Sequence, residues 1–213
     1  IGKQGFSPEL AEKISQGVPP TKRAADDVVV ALDLRNGTLA WKTTLSGLPT
    51  GRTSSSTPCL ANERIFAIGG KRIFCLDTKT GKLIWETGIH QKGVASSPLY
   101  YDGKIFALIG SLRAYDAKSG VLLWENKQVS GNTASPVLWK TGNSTLIVCN
   151  SNKTVVGVNP QSGVTQWQGP GGGSSTPVTH GDRLIVHGKP EEVGVIAYQA
   201  KQNEKQISTS TFW

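Results

Sequence analysis

Four segments of the chain align without gaps, and this repetition constrains the fold more than any other feature. They are ALDLRNGTLAW (31–41), CLDTKTGKLIW (75–85), AYDAKSGVLLW (114–124) and GVNPQSGVTQW (157–167). In each, Asp or Asn (Asp33, Asp77, Asp116, Asn159) is followed four residues on by Gly (Gly37, Gly81, Gly120, Gly163), and four further on by Trp (Trp41, Trp85, Trp124, Trp167). The tryptophans are spaced 44, 39 and 43 residues apart. A period of roughly 40 residues belongs to solenoids and propellers.

A second register runs in step with the first. Ser-Thr-Pro or Ser-Pro recurs at Ser56–Pro58, Ser97–Pro98, Ser135–Pro136 and Ser175–Pro177, each followed by an apolar run: RIFAIG, KIFALIG, TLIVCN and RLIVHG. One unit therefore reads as a Ser-Pro strand, a turn, an apolar strand, a strand ending in Asp, a tight turn and a strand carrying Trp. Four strands in about 40 residues is the size of one propeller blade. The Asp supplies an Asx acceptor at the start of the hairpin, and Gly stands where the chain must turn left-handed. A helical reading fails, because Gly and Pro punctuate these segments every 8–12 residues.

The expected fold is all-β: a β-propeller of four-stranded antiparallel blades, four to five of them present, in an incomplete ring. The blade bounds read as the last two strands of one blade (28–45), three whole blades (53–88, 94–127, 133–168) and most of another (174–200). The last copy is degenerate, with Gln199 in the Asp slot, Asn203 in the Gly slot and Ile207 in the Trp slot. Residues 1–27 form a non-repeat segment or insertion, and 28–213 carry the blades. Within the first segment Ser7-Pro8-Glu9 opens a short helix that Val18-Pro19-Pro20 ends. One Trp per blade at a fixed place is expected to cement successive blades, since an indole buries a large area and brings one N–H that needs a partner.

The pattern Ala-x-Asp-x-x-x-Gly-x-x-x-Trp resembles the tryptophan-docking motif of pyrroloquinoline-quinone (PQQ)-type propeller repeats, found in quinoprotein dehydrogenases and in BamB-like outer-membrane assembly proteins. The resemblance covers residues 28–200. It implies a seven- or eight-bladed ring, hence further blades of the same chain outside this sequence, and an extracytoplasmic setting in the periplasm or cell envelope. One scaffold serves several tasks, so two functions follow from it. The first is a non-catalytic protein-interaction scaffold with a protein partner. The alternative is a fragment of a PQQ-dependent dehydrogenase, whose active site the resemblance furnishes with adjacent cysteines, a Trp, Ca²⁺ ligands and a catalytic Asp. No adjacent cysteines occur here, and Asp33, Asp77 and Asp116 are assigned to hairpin turns. No catalytic, cofactor or metal residue is assigned in this segment; PQQ and Ca²⁺ enter only under the alternative.

Composition excludes other classes. No stretch approaches the roughly 20 apolar residues of a membrane span. The 23 basic residues, giving a net charge of +8, are dispersed along the chain with no nucleic-acid reading motif. No methionine occurs and the chain opens on Ile1, so a natural start is expected upstream. Cys59, Cys75 and Cys149 read as small buried hydrophobes, with a Cys59–Cys75 bridge open if geometry permits it. His90, His180 and His187 have no metal-site spacing, and GPGGGSST (169–176) lacks the ending and helix of a phosphate loop. If the first strand of each blade is innermost, interblade loops and the turns between second and third strands share one face. That face gathers Arg52, Lys71, Lys92, Lys153, Lys189 and the loop Gly169–Gly173, a basic, glycine-rich surface suited to an acidic or extended partner.

Overall fold

The computed structural model describes residues 27–45, 56–69, 72–88, 96–142, 144–188, 194–203 and 206–211, with side chains as far as residue 200. Five antiparallel sheets follow one another along the chain. The first pairs β1 (Asp27–Leu32) with β2 (Leu39–Leu45). The second runs β3 (Cys59–Ala61), β4 (Arg64–Gly69), β5 (Arg72–Asp77) and β6 (Leu83–Gly88), in that order across the sheet. The third holds β7 (Leu99–Tyr101), β8 (Lys104–Asp116) and β9 (Leu122–Gly131). The fourth holds β10 (Val137–Thr141), β11 (Ser144–Asn150), β12 (Val155–Val158) and β13 (Thr165–Gly169). The fifth holds β14 (Val178–His180), β15 (Arg183–His187), β16 (Val195–Asn203) and β17 (Gln206–Thr211). This is a partial β-propeller whose sheets do not close into a ring.

β8 counts as one element of 13 residues, yet it cannot be straight. The Ala117 amide donates to the Gly103 carbonyl at 2.9 Å, so the two ends of the strand lie side by side. The chain folds back at Gly110, where φ is +83°, and the third sheet has the four-strand layout of its neighbours. The corresponding contact in the second sheet joins the Thr78 amide to Glu63 O, and in the fifth the Ala200 amide to Asp182 O.

The core lies between sheets. Along β8, Ile105, Ala107 and Ile109 join Phe66, Ile73 and Cys75 of the second sheet, whereas Phe106 and Leu108 join Ile147, Cys149 and Val156 of the fourth. Successive side chains of a strand point to opposite faces, so a middle strand with both faces covered reads as an unbroken apolar run. The fourth and fifth sheets enclose Trp139, Trp167, Leu184 and Tyr198 between them, the rings meeting edge to face at 5.6 and 5.0 Å. No helix among the described residues is long and apolar enough to cross a membrane.

The first four sheets repeat one hairpin geometry. The Asp or Asn amide donates to the carbonyl five residues on, and the Gly amide returns to the Asp or Asn carbonyl at 2.7–2.9 Å. Gly37, Gly81, Gly120 and Gly163 all have φ between +69° and +75°. The Asp77 side chain accepts from the Thr80 hydroxyl at 2.7 Å and from the amides of Thr80 and Lys79. Asp116 is held the same way by Ser119 and Lys118. The Ser119 and Thr80 hydroxyls, then their amides, keep both carboxyls below the usual carboxylate range. A carboxyl whose pKa is lowered by folding contributes stability that is complete above its unfolded value of about 4 and is lost as pH falls through the folded value. Asn159 performs the turn with an amide oxygen, accepting from Gln161 and Ser162. The double variant Asp77→Asn, Asp116→Asn is therefore expected to keep its neutral-pH stability and to lose less of it between pH 4 and pH 2. Urea midpoints measured across that range check this; an unchanged acid slope would contradict it.

The fifth sheet departs from the expectation of a degenerate copy. Gln199 occupies the Asp position, as the Ala200 contact to Asp182 fixes, but β16 does not turn there. It continues to Asn203, which pairs with Gln206, and Ile207 lies opposite Gln202. In the other sheets Trp stands opposite the residue two before the Asp or Asn, and here that residue is Ala197. Ile207 is thus not in the Trp slot, and the sheet is complete with a fourth strand rather than ending near 200. A glutamine cannot make the short Asx acceptor and no glycine follows it, so the strand carries on instead of turning. The cysteine bridge left open by the sequence is also excluded. Phe66 pairs with both Cys59 and Cys75, which places the two cysteines two strand spacings apart, roughly 9–10 Å, and too far to join. Burial pushes the Cys75 thiol up to about 11, and Cys149 is raised for the same reason.

Candidate functional site

Two sets of residues singled out in the sequence are described separately: the repeat signature, and the part of one loop face that lies among the described residues. The signature builds joints between sheets. Trp41 Nε1–H donates to Thr78 O at 2.9 Å, Trp85 to Ala117 O at 3.2 Å and Trp124 to Pro160 O at 3.2 Å. Each acceptor is the residue just after the Asp or Asn of the next sheet. Each indole also lies on the next hairpin's glycine: a Cβ at Gly81, Gly120 or Gly163 would fall 2.5–2.7 Å from ring atoms of Trp41, Trp85 or Trp124. Glycine therefore does two things there, adopting positive φ and letting the ring approach. Trp167 packs on Tyr198 of the fifth sheet, and Tyr198 Oη donates to Pro170 O at 2.6 Å.

A second fastening, at the opposite edge of the second to fifth sheets, was not read from the sequence. The Thr57 amide donates to Ser97 Oγ at 2.8 Å, the Ser97 amide to Ser135 Oγ at 2.9 Å and the Ser135 amide to Thr176 Oγ1 at 3.0 Å. All four residues immediately precede a proline, which holds them extended. The repeated hydroxyl before proline was the visible signal; its use as a ladder from sheet to sheet was not.

The loop face centres on the turn between β11 and β12. Asn150, itself buried, donates to Ser175 O and His187 O and accepts from the Gly172 amide at 2.8 Å. Ser151 is buried beside it; its hydroxyl donates to Ser130 O, and its carbonyl accepts from Gly173. The Asn152 amide also donates to Ser130 O, at 2.8 Å. The end of β9, the β11–β12 turn and the loop Gly169–Thr176 are thereby locked into one platform. Gly172 (φ +98°) is needed there because a Cβ would lie 2.7 Å from the Lys153 backbone. Asn152, Lys153, Ser174, Ser175 and His187 stand exposed on top. The Gly172 and Gly173 amides are engaged by Asn150 and Ser151, so they are not turned toward an anion as in a phosphate loop. Of the five basic residues expected on this face, Lys153 sits on the platform, while Arg52, Lys71, Lys92 and Lys189 lie outside the described residues. Asn150, which ties the platform together, carries no signal in the sequence beyond ending an apolar run.

Among the described residues, Asp33, Asp77 and Asp116 do not come together as a Ca²⁺ site would require. A Ca²⁺ ion takes about 6–8 oxygen ligands converging on one point. Asp33, Asp77 and Asp116 instead sit in separate hairpins, each accepting bonds from its own turn.

A blade built on this twice-fastened joint defines a propeller of the quinoprotein type. The family described as outer membrane protein assembly factor BamB matches residues 25–212, and the chain belongs to that family. No curated protein matches it. Among solved structures, BamB from Moraxella catarrhalis aligns with a TM-score of 0.63 at 18% identity, over 87% of this chain and 57% of that one. A europium-containing methanol dehydrogenase aligns at 0.57 and 15% identity over 89% of this chain and 49% of its own. Quinohemoprotein alcohol dehydrogenase from Comamonas testosteroni aligns at 0.52 and 14% over 89% and 41%. The chain thus spans a little over half the length of the BamB structure. These likenesses show the fold.

Proposed function

We propose that the chain is part of a non-catalytic scaffold in the bacterial cell envelope that binds a protein of the outer-membrane assembly machinery, and that no cofactor acts in this segment. The observation that carries this reading is the engagement of the repeat's polar groups. Carboxylates, hydroxyls and indole N–H groups hold hairpins and joints, and among the described residues the loop platform around Lys153 is an exposed surface outside them. A rigid backbone presenting a cation, amides and hydroxyls suits an acidic, carbonyl-rich partner segment. In the same reading Asp33, Gly37, Trp41 and their counterparts in the next three copies have a docking role and no catalytic one. Family membership supports the setting and the class of partner.

The test uses the full-length protein in its own cells with a photo-crosslinking amino acid at Lys153. A discrete crosslink to an outer-membrane assembly protein is expected, and Lys153→Glu in a second copy of the experiment, with the crosslinker moved to Asn152, should reduce it several-fold. Alcohol- or sugar-dependent dye reduction after adding PQQ and Ca²⁺ to the purified protein would overturn the reading in favour of a dehydrogenase.

A further inference from the structure

We infer that Asn36, in the hairpin of the first sheet, is a self-modification site: the Gly37 amide nitrogen closes on the Asn36 side chain, ammonia leaves, and water opens the resulting imide to aspartate or isoaspartate. Asn36 is the one asparagine of the chain that glycine follows. Glycine has no side chain to hinder the approach of its nitrogen. The next three hairpins put a hydroxyl in this place, on Thr80, Ser119 and Ser162. Each does the same local task, accepting from the amide two residues on: Lys82 to Thr80 Oγ1 at 3.3 Å, Val121 to Ser119 Oγ at 3.4 Å and Val164 to Ser162 Oγ at 3.3 Å. A hydroxyl holds the turn and offers no carbonyl carbon for the main chain to attack. Of the four copies, only the first carries a reactive group there.

The hairpin poises that group. Asn36 Oδ1 accepts from the Thr38 amide at 3.0 Å and from the Thr38 hydroxyl at 2.8 Å. The loop closed by the first of these bonds contains Cα, Cβ, Cγ and the carbonyl carbon of Asn36 together with the Gly37 nitrogen, which are the atoms of the imide ring. Folding therefore restrains in advance the rotations that ring closure needs. The two donors also face the oxygen on which negative charge grows when the nitrogen adds to Cγ, as donors do in an oxyanion hole. Nδ2, the leaving nitrogen, has no acceptor among the described residues, and Asn36 is exposed to water.

In the first step the Gly37 nitrogen gives its proton to solvent base and bonds to Asn36 Cγ; the Cγ–Nδ2 bond breaks, and Nδ2 takes up a proton and leaves as ammonia. In the second step water adds to one of the two imide carbonyls. Cleavage of the new bond to Cγ gives aspartate, and cleavage of the original peptide bond gives isoaspartate, with one more methylene in the main chain. Water is the only co-reactant. The Gly37 amide donates to Asp33 O at 2.7 Å, and the reaction needs that bond to open. Surface turns open locally at little cost. Two other asparagines show what blocks the chemistry. Asn159 precedes Pro160, which has no N–H, and Asn150 Nδ2 is held by both Ser175 O and His187 O. In the isoaspartate form the lengthened main chain no longer returns the Gly37 amide to Asp33 O, so the first hairpin loses its turn.

The test incubates the full-length protein in mildly alkaline buffer and maps its peptides by mass spectrometry, with enzymatic methylation to mark isoaspartate. The peptide carrying Asn36 should gain acid and isoaspartyl products before any other asparagine peptide. Thr38→Val removes one of the two donors to Oδ1 and keeps the branched side chain. It should slow the reaction of the folded protein about threefold or more, and leave the rate in urea within a factor of about two. Asn36→Thr, which installs the residue of the second copy, should abolish the product at this position with no loss of Tm. Modification confined to the urea-unfolded chain would overturn the proposal, because the hairpin would then protect Asn36. So would a Thr38→Val variant that reacts as fast as the parent when folded, since the clamp on Oδ1 would then play no part.

Discussion

Trp85→Ala is expected to destabilise the protein by about 3 kcal/mol, at the low end for removing a buried large aromatic because one face of the indole remains partly exposed. In a chain of this length the loss corresponds to a fall in Tm of roughly 6–12 °C. Three contacts disappear together. The ring leaves the tilted stack with Phe66, at 5.9 Å between centroids. Its Nε1–H no longer satisfies Ala117 O. The cover over Gly120 is lost, opening the seam between the second and third sheets. Trp85→Phe retains most of the area and removes only the hydrogen bond, so a smaller loss of about 1 kcal/mol is expected. Thermal unfolding followed by far-ultraviolet circular dichroism checks both. An unaltered Tm in the alanine variant would remove the docking role assigned to these tryptophans.

Gly120→Ala should cost a comparable amount, about 2–4 kcal/mol, from two sources. A side chain at φ +75° carries a backbone penalty of about 1 kcal/mol or more. The added methyl would also lie 2.6 Å from Trp85 Cε3, and relieving that contact forces apart groups fixed by the hairpin on one side and by the Ala117 hydrogen bond on the other. Overpacking of this kind costs about 1–3 kcal/mol. The two parts separate in a double-mutant cycle. With Trp85 already alanine, the steric part vanishes and only the backbone part remains. Trp85→Ala and Gly120→Ala together should therefore cost less than the sum of the two by about 1–3 kcal/mol. Strict additivity in urea unfolding would mean that the ring and the glycine do not meet.

The repeat was legible because its hairpin needs particular side chains at fixed offsets. An Asx oxygen must cap the turn and glycine must take positive φ, so Asp77 and Gly81 declare themselves in any copy. The receiving half of each joint was silent for the opposite reason. The indole acceptors are main-chain carbonyls, and they belong to Thr78, Ala117 and Pro160, three residues with nothing in common as side chains. The fifth copy was misread because the slots were counted forward from Gln199 at a constant spacing. The spacing holds only while the turn does, and without Asp and Gly the strand ran on to Asn203. The loop face was half legible: Lys153 and the glycines of 169–173 were placed on it by topology, while Asn150 and Ser151, which tie them together from below, looked like the tail of an ordinary buried strand.

The amide-to-hydroxyl ladder and the indole contacts grip neighbouring sheets along opposite margins from the second sheet to the fifth. A seam secured along one margin could open like a book; secured along both, it holds a fixed dihedral angle. The bend of the assembly is then written into every seam separately. Gaining or losing a copy during evolution would lengthen or shorten the arc without retuning its curvature, which lets such a chain be extended piecemeal.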